Sequence, residues 1–390
     1  MPIERVQHQG WLSRLGQSFA GIFIGLLLVA VAVVLQFWNE GRTLHQQRLL
    51  EQGRAMVVSV SVDRIDPAND GKLLHVVADT RSEGLREDPV FKQVAEGPAL
   101  RRRVEMYQWR ERSEQREETH VGGSKTTRTT YHYDKVWDDE LIDSSGFEER
   151  SGHENPGAMP FGNEVWRAER VDLGAFELAP DIVAELGGWK PLAPRADDLP
   201  ENLAASFSVD DGRLTTVNGS PRIGDVRISF ERIPDGRVSV VAAQRGERLT
   251  ALQLGEDPLL LVERGEHSAA QLFDAAERRN AGLGWGLRLA GFVVMWIGFA
   301  LMLAPLGVLA DVLPILGRAT RFMTGMAAGV MAALVSFVAI ASGWLLHRPW
   351  ALLGLLLLVG AGVYALLRRK RQPAMASLAG MPPPPPPPRG

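Results

Sequence analysis

The chain has no cysteine among its 390 residues. That removes disulfide frameworks, thiolate metal sites and cysteine nucleophiles together. A strong net charge is lacking too. Lys and Arg number 43 against 46 Asp and Glu, leaving −3, without the basic surplus of a protein dedicated to nucleic acid. No P-loop or dinucleotide fingerprint occurs, so no cofactor is indicated. Charge is also missing from the interior of four apolar runs, 19–38, 287–309, 323–346 and 350–367.

Each run approaches the roughly 20 helical residues that cross a hydrocarbon core about 30 Å thick. Residues of the first favour insertion by about −4 to −7 kcal/mol in sum, whereas one central Arg would cost about 3. The first run is too long for a signal-peptide core. Gln36-Phe37-Trp38-Asn39 offers no small-residue cleavage site, so it reads as an uncleaved signal anchor. The expected fold is therefore an α+β membrane protein with four transmembrane helices, one N-terminal and three C-terminal.

Between the first and second spans lies a β-rich domain, 39–286. The remaining segments are an N-terminus (1–18), an interfacial linker (310–322) kinked at Pro314, and a basic, polyproline tail (368–390). Positive charge in short ends and loops sets orientation. Arg5, Arg14, Arg318, Arg321 and the basic run 368–371 put both termini in the cytoplasm and the domain outside. Arg42, Arg48, Arg278, Arg279 and Arg288 flank the long loop and dilute that signal.

Within the domain, Ala55–Val62, Lys72–Ala78, Arg103–Arg110 and the stretch through Tyr131, Tyr133 and Trp137 read as strands, with a loop at Gly122-Gly123. Val226–Ile233, Pro-Asp-Gly and Arg237–Ala242 read as a hairpin turning on Asp235-Gly236. Asp88-Pro89 opens a short helix through Ala95. Ser268 with Gln271 has capping-box spacing for a helix to Gly282.

Several strings follow one another in a familiar order. They are Phe37–Arg42, Arg103–Trp109, Gly152–Pro156, Gly224–Phe230, Ala243–Gly246, Trp285–Arg288 and Gly343–Pro349. Each is short, but the ordered set resembles the LUMA family, also called transmembrane protein 43, over nearly the whole chain. The positions carrying it are Asn39, Glu40, Gly41, Arg42, Glu105, Tyr107, Gln108, Trp109, Asn155, Pro156, Gly246, Trp285 and Arg288. The resemblance implies one span, a large lumenal or extracytoplasmic domain, then three spans, and no established enzymatic activity. Animal members associate with the endoplasmic reticulum and inner nuclear membrane, self-associate, and organise envelope proteins such as emerin and lamins. The polyproline tail and the missing cysteine depart from the family and suggest a bacterial relative in an inner membrane, with the domain in the periplasm. The envelope partners would not carry over to a bacterium.

Candidate chemistry in the domain is sparse. His75, His120, His132 and His153 make no close pair of the kind metal sites use, so no metal is expected. The run from Arg110 to Glu118 mixes charge signs and reads as a solvated face rather than a catalytic carboxylate pair. Tyr107, Trp109, Tyr131, Tyr133 and Trp137 read first as core and second as a binding surface. In the spans, Glu40 reads as an interfacial ion pair with Arg42. Gly21 with Gly25, and Gly325 with Gly329, place small residues one turn apart and allow helices to pack closely, more readily within the chain than between copies. A non-catalytic scaffold is the leading expectation, with membrane lipid, other membrane proteins and a second copy as partners. The alternatives are a channel or transporter subunit, and a membrane-anchored ligand-binding or hydrolase domain.

Overall fold

The computed structural model describes residues 3–311, 314–346 and Leu357. Three long helices dominate it: α1 (Trp11–Met56), α2 (Ala269–Ala310) and α3 (Pro314–Leu346). Each is long and apolar enough to cross a membrane. The expected fourth span, 350–367, and the tail lie outside the described residues apart from Leu357.

Both α1 and α2 run past the ends of their apolar runs. The capping box at Ser268 and Gln271 forms as expected, but the helix does not stop at Gly282; it continues through the membrane run to Ala310. At its other end, α1 reaches Met56, so only Val58–Ser59 of the expected first strand is extended. Leu49 and Leu50 of α1 and Leu272 and Phe273 of α2 join Leu73, Val241 and Leu259 of the domain in one buried cluster. The expected linker 310–322 is largely helical among the described residues. Asp311 caps α2, and Pro314 begins α3, the helix position where a missing N–H costs nothing.

The strands that matter below are β1 (Ile3–Gln9), β2 (Leu73–Ser82), β3 (Ala99–Thr119), β4 (Lys125–Asp138), β5 (Val226–Ile233) and β6 (Arg237–Arg245). One sheet of eight strands is ordered β1, β4, β3, β5 and onward; a second, of seven, contains β6 beside β2. The expected hairpin of β5 and β6 does not form. β5 pairs with β3 and β6 with β2, so Pro234-Asp235-Gly236 is a crossing between sheets. The Asp235 carboxylate accepts from Thr80 and Ser82, anchoring that corner to β2 instead of to its own hairpin. Alternate residues of β2 and β6 feed separate clusters: Leu74, Val76, Val238 and Val240 lie on one side, Leu73 and Val241 on the other.

The helix expected at 88–95 is absent. Asp88 accepts from Val90 and Phe91 backbone N–H as a cap would. Lys92 then takes φ 56°, and Val94–Ala95 returns as a strand against Arg86–Glu87.

The N-terminal segment, expected to stand apart from the domain, instead supplies β1, which pairs with β4 from Ile3 opposite Tyr131 to Gln9 opposite Lys125. β4 and β3 form a long hairpin closed at Gly122-Gly123, both glycines at positive φ. Its tip meets the start of α1. Arg14 donates to the Gly123 carbonyl at 2.5 Å, and Trp11 packs so closely on Gly123 that a side chain there would collide with its ring.

Candidate functional site

The family-motif residues gather in two places. The first is the seam between α1 and α2. A turn of helix carries Asn39, Glu40 and Thr43 towards α2, while Arg42 faces elsewhere because residues two apart on a helix do not share a face. Glu40 therefore pairs not with Arg42 but with Arg288. Arg288 donates from Nε and Nη2 to the two carboxylate oxygens at 2.7 and 2.9 Å. The Glu40 side chain is 2% exposed and that of Arg288 22%. The guanidinium also lies 4.8 Å from the ring centre of Trp285, which is otherwise open to the surroundings. Arg42 reaches the Thr43 hydroxyl at 3.3 Å, and Gly41 is half-buried in α1.

Above and below this ion pair the seam stays polar. Asn39 donates to Gly284 O at 3.1 Å, Asn280 to Thr43 O at 3.0 Å, and Gln36 to the Ser336 hydroxyl of α3 at 2.9 Å. Polar groups this deep need partners inside the protein; the three amide N–H groups have them, whereas Gln36 Oε1, Asn39 Oδ1 and Asn280 Oδ1 accept no hydrogen bond among the described residues. Glycines make the approach possible. A Cβ on Gly284 would sit 3.1 Å from Thr43 Oγ1, one on Gly291 2.6 Å from Gln36 Cγ, and one on Gly298 2.8 Å from Gly25 O. The glycines of α2 recur every seven residues, and so do their partners Thr43, Gln36 and Val29 running the opposite way along α1. A strict heptad of contacts is the pattern of closely packed, supercoiled helices.

Of the four glycines expected to pack, Gly25 therefore does so within the chain, against Gly298 and Met302. Gly21 faces Leu301. Gly329 faces the Trp296 ring, and the Trp296 indole N–H donates to Gly325 O at 2.9 Å. The larger series Gly284, Gly291 and Gly298 escaped a search for glycines four apart, although its seven-residue spacing was present in the sequence. Gly343, named above only as part of a family string, packs on Glu40.

At the opposite end of the bundle, the buried Asp311 accepts from Arg14 at 2.6 Å and from Arg321 at 2.7 Å. A carboxylate at a helix C-terminus opposes the helix dipole, so two cations are well placed there. Two of the arginines used for orientation are thus held by one buried acid.

The second gathering lies on β3. Gln108 is fully buried and bridges two backbone groups, donating to Glu140 O and accepting from Ile142 N–H, both at 2.9 Å. Asn155 behaves like a strand residue: its side chain accepts from Trp109 N–H at 2.7 Å and donates to Trp109 O at 2.8 Å. Glu105 makes a two-pronged pair with Arg227, both distances 2.7 Å. Pro156 lies beside Gly224, which needs its positive φ of 93°. Gly246, φ 61°, donates its N–H to Asp70.

The aromatic residues of this face are half-buried, and none joins a hydrophobic core cluster, so the core reading does not hold. They form a cross-strand ladder instead. Tyr107 packs on Trp137, and Tyr133 stacks on His153 at 3.9 Å, with Trp109 edge-on to the same imidazole. Burial and the hydrogen bond to Glu111 push the Tyr133 phenol up to about 12. His75 bonds far away, to Ser59 and His267 O. Among the described residues no group of three His, Asp or Glu is arranged for a metal ion.

An open groove of about 750 Å³ lies over β3 and β5, lined by Arg103, Glu105, Trp137, Arg227 and Glu231 among others. Its charges are largely mutually paired, Arg101 with Glu231, Arg103 with Asp139 and Arg227 with Glu105.

Three apolar helices joined by polar and ionic contacts, two of them continuing into a β-rich domain, define an integral, multi-pass membrane protein. The family model for Transmembrane protein 43 matches residues 106–349. The chain is 34% identical to Transmembrane protein 43 of Rattus norvegicus over 90% of both chains. It is also 34% identical to that of Homo sapiens over 94% of this chain and 93% of the human one. The Drosophila melanogaster homolog is 28% identical over 87% and 92%. The chain belongs to the Transmembrane protein 43 family. No solved structure matches it.

Proposed function

We propose that this protein is a non-catalytic, self-associating scaffold that organises membrane proteins or lipids. The observation that carries this reading is the unbroken passage of α1 and α2 from the membrane run into the domain's buried cluster, locked by Glu40 and Arg288. Domain and bundle then form one stiff body, so anything bound to the domain is held at a set distance from the bilayer. The groove supports the same reading, because its charges answer one another rather than converging on a vacant reacting centre. We place the protein in a bacterial inner membrane on the weight of its polyproline tail and missing cysteine, with its domain on the periplasmic side on the weight of Arg318, Arg321 and the basic run at 368–371.

Self-association would have to use surfaces other than the Gly25 face, which is already taken by α2. Phe23, Leu27 and Val34 of α1 and Phe337 of α3 are available for it, all exposed. Gentle crosslinking in native membranes, followed by purification in mild detergent, tests the proposal. Bands at multiples of the chain mass or co-purifying membrane proteins are expected; a strictly monomeric, partner-free product would refute it.

A further inference from the structure

The hairpin of β3 and β4 runs on beyond Met106, the last residue paired with β5, carries the loop of residues 140–155 as far as Glu111 and Tyr133, and ends against Arg14 and Trp11. Those two residues start α1, whereas Leu49 and Leu50 near its other end sit in the domain. At 1.5 Å per helical residue, Arg14 and Leu49 are about 50 Å apart. At about 3.3 Å per residue, Met106 to Thr119 covers a similar ~43 Å. The ribbon of β1, β4 and β3 thus runs past the whole of the apolar run 19–38, which lies between those two points and matches a bilayer's thickness.

Lipid cannot receive it. Among the described residues, the outer edge of β3 beyond Trp109, which Asn155 serves, pairs with no other strand, and β1 ends the sheet on the other side. Open edges do not occur in hydrocarbon, where irregular or unpaired backbone is tolerated only inside protein or beside water. Arg112, Glu114, Arg116, Glu117 and Glu118 are all exposed, and each such charge at mid-membrane costs about 2.5–3.5 kcal/mol even on insertion scales. Exposed charge, absent from the helices over their apolar runs, is supplied at that depth by the ribbon.

We propose that several copies of this chain assemble with their ribbons facing one another around a water-filled passage, their apolar helices outward to lipid. The proposal rests on the self-association argued above and goes beyond it by assigning the assembly a conduction path.

The absence of cysteine makes the test clean, because every thiol would be introduced. The full chain is reconstituted in phosphatidylethanolamine–phosphatidylglycerol vesicles, and potassium flux is measured. Glu114→Cys should react with a charged, membrane-impermeant thiol reagent and lose its flux on reaction. Val330→Cys, exposed on the apolar run of α3 and outward to lipid, should stay unlabelled. Leu12→Cys with Val121→Cys, both at exposed positions, should be bridged by a short bismaleimide within one copy, which reports the ribbon tip at the start of α1. No potassium flux, flux indifferent to modification of Glu114→Cys, or failure of the bridge would each overturn the passage. Crosslinked oligomers that conduct nothing would sink the passage and leave the scaffold standing, whereas absence of oligomers would sink both.

Discussion

Replacing Arg288 by Met should be among the most damaging single changes in the bundle. The pair it breaks is unequal: Glu40 is almost fully enclosed, whereas Arg288 is partly open and rests on Trp285. Removing the cation leaves a carboxylate with no counter-charge between helices, and breaking one side of such a pair typically costs about 3–5 kcal/mol. A loss of about 4 kcal/mol is close to a thousandfold in the folding equilibrium. Glu40→Leu should cost less, because the freed guanidinium can keep its indole contact and turn outward. Replacing both, Glu40→Leu with Arg288→Met, removes the unpaired charge and should recover most of the Arg288→Met loss, since apolar pairs of similar volume often substitute without penalty. Thermal unfolding in detergent, followed by tryptophan emission or by size-exclusion after heating, ranks the three variants. A double variant as unstable as Arg288→Met would refute the reasoning, because the cost would then lie in packing rather than in stranded charge.

Other outcomes follow from single contacts. Gly25→Ala should destabilise the bundle by about 1–3 kcal/mol through overpacking against the Gly298 carbonyl, whereas Gly325→Ala, with open space around it among the described residues, should be close to neutral; equal melting points would contradict the assigned seam. Asn155→Ala should release the loop around Asn155 from Trp109, at about 1–3 kcal/mol for the unpaired backbone groups left behind, seen as faster amide exchange at Trp109. Tyr133 should titrate near 12, above an unfolded value near 10. Since the native state keeps the proton longer, the stability tied to this group is complete below pH 10 and fades as pH rises towards 12. Absorbance at 295 nm should show this tyrosine lagging the others, and Tyr133→Phe should remove the lag.

The sequence carried the membrane character because hydropathy acts locally: three apolar runs became helices close to where they were read. It carried β3, β4 and their Gly122-Gly123 turn for the same reason, period-two alternation over many residues. The errors arose where a local signal had two outcomes. Asp88 capped a turn that Lys92 then reversed, and Asp235-Gly236 joined two sheets instead of two paired strands. Both outcomes use the same side-chain hydrogen bonds, so only distant partners, Thr80 and Ser82 in the second case, decide between them. The Glu40 partner was likewise hidden. Arg288 is 248 residues away, and nothing in the neighbourhood of Glu40 points across that gap. The heptad of glycines in α2 was legible in principle, but it acquires meaning only when Thr43, Gln36 and Val29 are known to face it.

The seam and the ribbon constrain each other. Close glycine packing leaves α1 and α2 little freedom to slide, and the Glu40–Arg288 pair sets their register near the domain. At the far end, Asp311 holds Arg14, and Arg14 in turn holds the ribbon tip through the Gly123 carbonyl. A shift of α2 along α1 would therefore pull on the tip, because Asp311 caps the very helix that moves. Ion pairs at both ends of one helix pair, with glycines between, make the bundle a rod that transmits displacement rather than absorbing it. In such a rod, loosening Glu40 from Arg288 would be felt at Gly123, about seven helical turns away. Coupling between the domain face and the opposite membrane face thus requires no hinge.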